Sequence, residues 1–81
     1  MIIMTMDGKL YRGTALEIVR EFTKLSFCES TVTDFVFGAS QRAEHLTGKP
    51  IFPTGASESE LASTFIAEAL RVGVLRTAPL A

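Results

Sequence analysis

Few side chains in this sequence could support acid–base or nucleophilic chemistry. There is one histidine, His45, and one cysteine, Cys28. A thiolate activated by an imidazole is the simplest nucleophilic pair they could form, and Tyr11 could add a polar group. No cysteine-enzyme signature surrounds Cys28, and His45 falls near the end of a predicted helix, where an imidazolium favours the dipole. We therefore predict no catalytic residue and no enzyme activity.

Metal and cofactor sites need several convergent ligands, which this sequence does not supply. A zinc site requires more His and Cys than one of each. The only closely spaced acids, Glu58 and Glu60, fit the first turn of a predicted helix, where carboxylates favour the positive end of the dipole. The glycines form neither a dinucleotide fingerprint nor a phosphate loop. The sequence predicts no metal and no cofactor.

The size and composition of the chain indicate a small domain with apolar surface to spare. Its 81 residues are 47% hydrophobic and carry a net charge of -1. A chain of this length buries only ~60–65% of its unfolded surface, so some apolar residues should contact another chain. We expect one α+β domain, residues 1–81, that forms a homodimer or binds an unidentified protein partner.

The predicted cellular compartment follows from the low cysteine content and from the lack of membrane and signal segments. One cysteine excludes an intramolecular disulfide and fits a reducing environment. The apolar runs are far shorter than the ~18 residues of a membrane helix, and the first residues do not read as a signal peptide. We predict a cytoplasmic protein that does not enter membranes.

The stretch that the other elements should pack around is a C-terminal helix over residues about 57–73. It begins with Ser57-Glu58-Ser59-Glu60, an S-x-x-E capping box. Helical spacing places apolar residues over nearly half its circumference, which indicates contact with more than one neighbouring element. The other half should face solvent; its members are Glu60, Ser63, Thr64, Glu68 and Arg71.

The N-terminal segment, residues 2–12, predicts a β-hairpin. Asp7-Gly8 lies between two short β-prone runs and suits a two-residue type I′ turn. That turn pairs Met6 with Lys9, Met4 with Tyr11 and Ile3 with Arg12. One face would then carry Ile2, Met4, Met6 and Tyr11. Either helices cover both faces or one face contacts a partner.

The remaining elements complete a ββααβα order. Two capped helices are predicted, about 14–25 and 31–47, and the first or the second should pack on the central C-terminal helix together with the sheet. Residues 49–54 resemble a strand with prolines at 50 and 53, which restrict it to a sheet edge. The tail, residues 76–81, is expected to fray.

Phe37 departs from the pattern of its helix. The helical projection places it ~140° from the apolar stripe, among polar residues. An exposed phenylalanine can act as an interface anchor. The alternative is cover by apolar residues of the tail, namely Val74, Leu75 and Leu80.

These observations predict a homodimeric interaction or structural module. The hypothetical interface residues are Phe37, Ile2, Met4, Met6 and Tyr11. The alternative is a small dimeric nucleic-acid-binding regulator. The best phosphate contacts, Lys9, Arg12, Lys49 and Arg76, are dispersed along the chain, which argues against nucleic acid.

Overall fold

The computed structural model describes residues 1–25 and 31–77, with three helices and a three-stranded antiparallel sheet. The mixed α+β class predicted from the sequence is confirmed. The elements in chain order are β1 (Ile2–Thr5), β2 (Leu10–Arg12), α1 (Ala15–Lys24), α2 (Val32–Thr47), α3 (Glu58–Val72) and β3 (Leu75–Thr77).

The helix boundaries agree with the capping signals in the sequence. The Thr14 hydroxyl accepts a hydrogen bond from the Glu17 amide at 3.2 Å, and the Glu17 carboxylate accepts from the Thr14 amide at 3.1 Å, which completes a reciprocal capping box. Thr31 caps α2 and Ser57 caps α3 in the same way with their hydroxyls. The Glu60 carboxylate accepts instead from the amide of Ala56, at 3.2 Å.

Helix α3 is the centre of the core, as the width of its apolar arc predicts. It contacts α1, α2 and β3. Its buried residues are Leu61, Ala62, Phe65, Ile66, Ala69 and Val72. A helix that contacts three elements needs an apolar surface wider than a single stripe.

The third strand is not where the sequence pattern suggested. No strand forms around Ile51 and Phe52; β3 follows α3 instead, so the order is ββαααβ. Pro50 and Pro53 have no N–H to donate, which disfavours pairing of that segment in a sheet. Gly73 ends α3 in the left-handed conformation, with φ 90°, and turns the chain directly into β3.

Strand β3 also corrects the prediction of a frayed tail from residue 76. Arg76 and Thr77 pair antiparallel with Met4 and Ile3 of β1, so the sheet order is β2-β1-β3. Leu75, the first residue of the strand, is buried. Residues 78–81 of the predicted tail lie outside the described part of the chain.

The hairpin forms as predicted, but its register differs by one residue. The observed partners are Ile2 with Arg12, Ile3 with Tyr11 and Met4 with Leu10. Residues 6–8 form a three-residue loop closed by the Thr5 amide, which donates to the Lys9 carbonyl at 2.9 Å. Gly8 alone has a positive φ there, whereas a type I′ turn needs one at Asp7 as well.

The changed register exchanges the faces of β2. Side chains directly opposite each other across two strands point to the same side. Tyr11 therefore lies with Ile3 on the helix side, and Leu10 lies with Met4 on the other. The predicted grouping of Tyr11 with Ile2 and Met4 on one face is wrong for this reason.

Candidate interaction surfaces

One face of the sheet is packed against the helices, and the opposite face is open. Ile3, on the helix side of the central strand, is 0% exposed, whereas Leu10 on the opposite side is 60% exposed. We call this opposite side the open sheet face. Its described residues are Ile2, Met4, Leu10, Arg12 and Arg76.

The open sheet face joins apolar and basic groups. Ile2 and Met4 lie on the central strand, with Arg12 on one neighbouring strand and Arg76 on the other. None of its described residues is acidic. Met6, exposed in the hairpin loop, lines a cavity of about 180 Å³ with Met4 and Arg76, so the loop extends this surface.

Tyr11 lies on the other side of the sheet and contacts the helices. Its ring meets Phe22 edge to face, with centroids 4.7 Å apart. Phe22 in turn lies 5.9 Å from Phe35, and Phe35 lies 6.1 Å from Phe65. Tyr11 therefore belongs to a series of aromatic contacts that connects β2 to α1, α2 and α3. It does not lie on the sheet face of Ile2 and Met4, nor beside Met6.

Phe37 lies on the outer side of α2, as the helical projection predicts, and is 48% exposed. It shares a cleft of about 330 Å³ with Phe52, which is 69% exposed. We call this the Phe37–Phe52 cleft; its remaining lining residues are Ser40, Gln41, Glu44, Ile51, Pro53 and Thr54.

The idea that the tail covers Phe37 is not supported by the residues that are described. Leu75 is in the sheet, and with Val74 it lines a different groove, beside Phe22, Phe35 and Phe65. Leu80 lies outside the described part of the chain. Phe37 instead shares a cleft with Phe52, which the sequence pattern had assigned to a strand.

The non-helical segment 50–56, here called the strap, is held against α3 by side chains. The Thr64 hydroxyl donates to the Thr54 carbonyl at 2.7 Å and accepts from the Thr54 amide at 2.9 Å. One turn and two turns further along α3, Glu68 and Arg71 continue the same stripe. Arg71 donates to the carbonyl of Pro50 at 3.1 Å.

This stripe corrects the expectation that the polar half of α3 only faces solvent. Glu60, Thr64 and Arg71 each bond to the backbone of the strap. The sequence did contain a signal: Thr64, Glu68 and Arg71 recur at i, i+4 and i+7, the spacing of one helix face. Nothing in that spacing says what the face binds.

Charge within the stripe is paired. Arg71 donates from Nε to the Glu68 carboxylate at 2.7 Å. This bond is the main reason that the pKa of Glu68 lies below its ordinary value, and the Phe52 backbone N–H contributes in the same direction. The same pairing raises the pKa of Arg71. The stripe therefore stays in its ionised form at neutral pH.

Among the described residues, those considered for chemistry do not form a cluster. His45 is exposed in the last turn of α2, and Cys28 lies outside the described residues. Within residues 1–25 and 31–77, no three His, Cys, Asp or Glu side chains are grouped closely enough to hold a metal ion. Every buried polar side chain in these two ranges has a hydrogen-bond partner.

Comparison with known proteins gives no relative from which to infer a role. A scan against protein-family models, a search of curated proteins and a search of solved structures each found no match. None of the described helices combines the length and the apolar character needed to cross a bilayer. The open sheet face and the Phe37–Phe52 cleft are therefore the features from which function can be argued.

Proposed function

We propose that this protein is a homodimeric interaction module without catalytic activity, and that two copies associate through the open sheet face. One observation carries the proposal. The helices cover Ile3 completely, while Leu10 on the opposite side is 60% exposed and no helix within residues 1–25 and 31–77 packs over it or over half-buried Met4. A two-layer domain with an apolar outer sheet face gains stability when a second layer covers that face.

A second copy fits the distribution of groups on this face. In a two-fold dimer the same patch meets itself, so Ile2 and Met4 of the central strand pack at the middle of the contact. Arg12 and Arg76, on the two outer strands, can extend their guanidinium groups to water at the rim. Exposed Met6 enlarges the apolar contact beyond the strands.

One relative direction of the two sheets would also bring opposite charges of the two copies together. If the strands of the two copies run in opposite directions, the hairpin loop of one lies over the open end of the other hairpin. Asp7 then approaches Arg12 of the second copy. The Asp7 carboxylate is in its ionised form for this contact, because a hydrogen bond from the Thr5 hydroxyl lowers the pKa of Asp7.

Light scattering combined with size-exclusion chromatography tests this proposal. The wild type should be a dimer at high micromolar concentration, and Met4→Lys should be a folded monomer by circular dichroism. Phe37→Asp is the matched control on the other surface and should remain dimeric. A wild-type monomer, or a folded dimeric Met4→Lys, overturns the proposal. If Phe37→Asp dissociates the dimer and Met4→Lys does not, the two copies associate through the Phe37–Phe52 cleft and not through the open sheet face.

A nucleic-acid-binding regulator is the second candidate, favoured by one observation. The sheet brings Arg12 and Arg76 onto one face, although they are far apart in sequence. Binding through phosphates must weaken steeply as salt rises, and replacing each arginine by glutamine must reduce the slope. Flow-through from heparin at low salt would end this candidate. Retention that Arg12→Gln and Arg76→Gln abolish would favour it.

A further inference from the structure

We propose that the Phe37–Phe52 cleft binds an arginine side chain of a partner protein. The cleft is lined by two exposed phenylalanines and by one acidic residue, Glu44. None of its lining residues is basic. It is separate from the open sheet face, because its lining residues come only from α2 and the segment that follows α2.

The aromatic pair suits the flat, weakly hydrated guanidinium group. A cation placed over an aromatic face is attracted by the electron-rich face of the ring quadrupole, and arginine makes this contact more often than lysine. The aliphatic part of the side chain can cover the ring surfaces that Phe37 and Phe52 now expose to water. Apolar burial and attraction of the cation thus act together.

The negative charge of Glu44 favours a basic occupant of the cleft over an apolar or an acidic one. Within the described ranges its carboxylate has no ion pair, whereas the carboxylate of Glu68 is bound by Arg71. An apolar occupant would remove water from Glu44 and leave its charge unpaired, and an acidic occupant would be repelled. Gln41 and the hydroxyl of Thr54 supply further oxygen acceptors in the same cleft.

The strap holds the cleft in a fixed shape before any partner arrives. Ile51 of the strap is buried in the core, whereas the next residue, Phe52, points outward and is 69% exposed. The bonds from Thr64 and Arg71 fix the backbone on either side of Phe52. A surface that is already ordered loses less conformational entropy on binding, which allows a small cleft to bind a single side chain measurably.

Amide NMR on the full chain tests the proposal with the peptide acetyl-Gly-Arg-Gly-amide as the probe. The peptide should shift the resonances of Phe37, Glu44 and Phe52, with a dissociation constant on the order of 1 mM, typical of a single anchored side chain. The matched peptide in which citrulline replaces arginine has nearly the same shape without the charge. It should shift these resonances much less.

Variants assign the interaction to named groups. Glu44→Gln should weaken binding of the arginine peptide about two- to fivefold, the range expected for an exposed ion pair. Phe52→Ala should abolish the shifts. Glu21→Gln removes an exposed carboxylate on α1, outside the cleft, and should leave affinity unchanged. Equal shifts with the citrulline peptide, or full affinity in Glu44→Gln, overturn the proposal.

A second copy is the competing source of the arginine. If the cleft resonances shift when the protein alone is concentrated, and Arg12→Gln or Arg76→Gln removes that shift, the occupant is another copy of this chain. That result overturns the partner-protein assignment. Unchanged cleft resonances on concentration, together with shifts on adding the peptide, support it.

Discussion

Arg71 donates a hydrogen bond of 3.1 Å to the carbonyl oxygen of Pro50, 21 residues earlier in the chain. The contact joins the last turn of α3 to the start of the strap. Proline can accept through its carbonyl even though it has no N–H to donate. A segment that cannot pair well in a sheet is thereby held by side chains of a helix.

Replacing Thr64 by valine should loosen the strap. Valine has nearly the same shape but loses both bonds to Thr54, so we expect a loss of about 1–2 kcal/mol in the free energy of unfolding. Chemical denaturation measures the loss, and hydrogen exchange should show faster exchange of the Thr54 amide. Thr64→Ser retains the hydroxyl and is the control. Equal stability of the valine and serine variants would contradict the role of the hydroxyl.

Gly55→Ala should be more harmful than Gly48→Ala. A Cβ at residue 55 would lie 2.5 Å from Cβ of Glu60 and 2.8 Å from the amide nitrogen of Leu61, with φ at 151°. Residue 48 also has positive φ, but a Cβ there meets nothing within 4 Å, so only a backbone cost of about 1–2 kcal/mol applies. Thermal and urea unfolding of both variants measure the difference. Equal losses would show that the strap can move away from α3.

Truncating Tyr11 and truncating Leu10 should change stability by different amounts, because these neighbouring residues of β2 lie on opposite faces of the sheet. Tyr11→Ala removes the ring that contacts Phe22 and should cost about 2 kcal/mol in the free energy of unfolding. Leu10→Ala removes an exposed side chain and should cost less than about 0.5 kcal/mol. Urea titration at a concentration where the protein is monomeric makes the comparison fair. A larger loss for Leu10→Ala than for Tyr11→Ala would contradict the observed register and favour the one that the Asp7-Gly8 pattern predicts.

Stability should fall in mild acid through Glu17 and Glu68. The backbone N–H and hydroxyl of Thr14 lower the pKa of Glu17, and Arg71 lowers that of Glu68, both from an ordinary value of 4.5. A lowered folded-state pKa adds stability above the unfolded value, which disappears as pH falls from there through the folded value. Urea unfolding from pH 7 to pH 3 should show this decline below about pH 4.5.

The double variant Glu17→Gln and Glu68→Gln is the control for this pH dependence. Glutamine cannot titrate, so the decline in mild acid should become shallower, although the variant begins from a lower stability at neutral pH. The two changes lie on separate helices and should act additively. An acid profile parallel to that of the wild type would assign the pH dependence to other groups.

The helices could be predicted from the sequence because their signals are local. Thr14, Thr31 and Ser57 begin them, and Gly48 and Gly73 end α2 and α3, within a residue of the expected bounds. Each of these signals depends on a few neighbouring residues only. The outward position of Phe37 follows equally from helical geometry.

The sheet and the strap required information that local patterns do not contain. The Asp7-Gly8 pair fits both a two-residue and a three-residue loop, and the choice exchanges the sides of Leu10 and Tyr11. Ile51 and Phe52 are β-prone, yet an extended backbone can be satisfied by helix side chains as well as by a strand. Pairing of β3 with β1 is set by the packing of α3, which brings Leu75 to the sheet.

The central position of β1 has a consequence for the route by which the chain folds. The first strand obtains its second neighbour only from residues 75–77, so Ile3 and Thr77 meet after nearly all of the described chain has been synthesised. Until then one edge of β1 presents unpaired backbone groups, which are a template for wrong association. Long-range pairing of this kind forms late and slows folding. On the ribosome, the sheet can be completed only after β3 has left the exit tunnel, so the β1 edge stays unpaired until then.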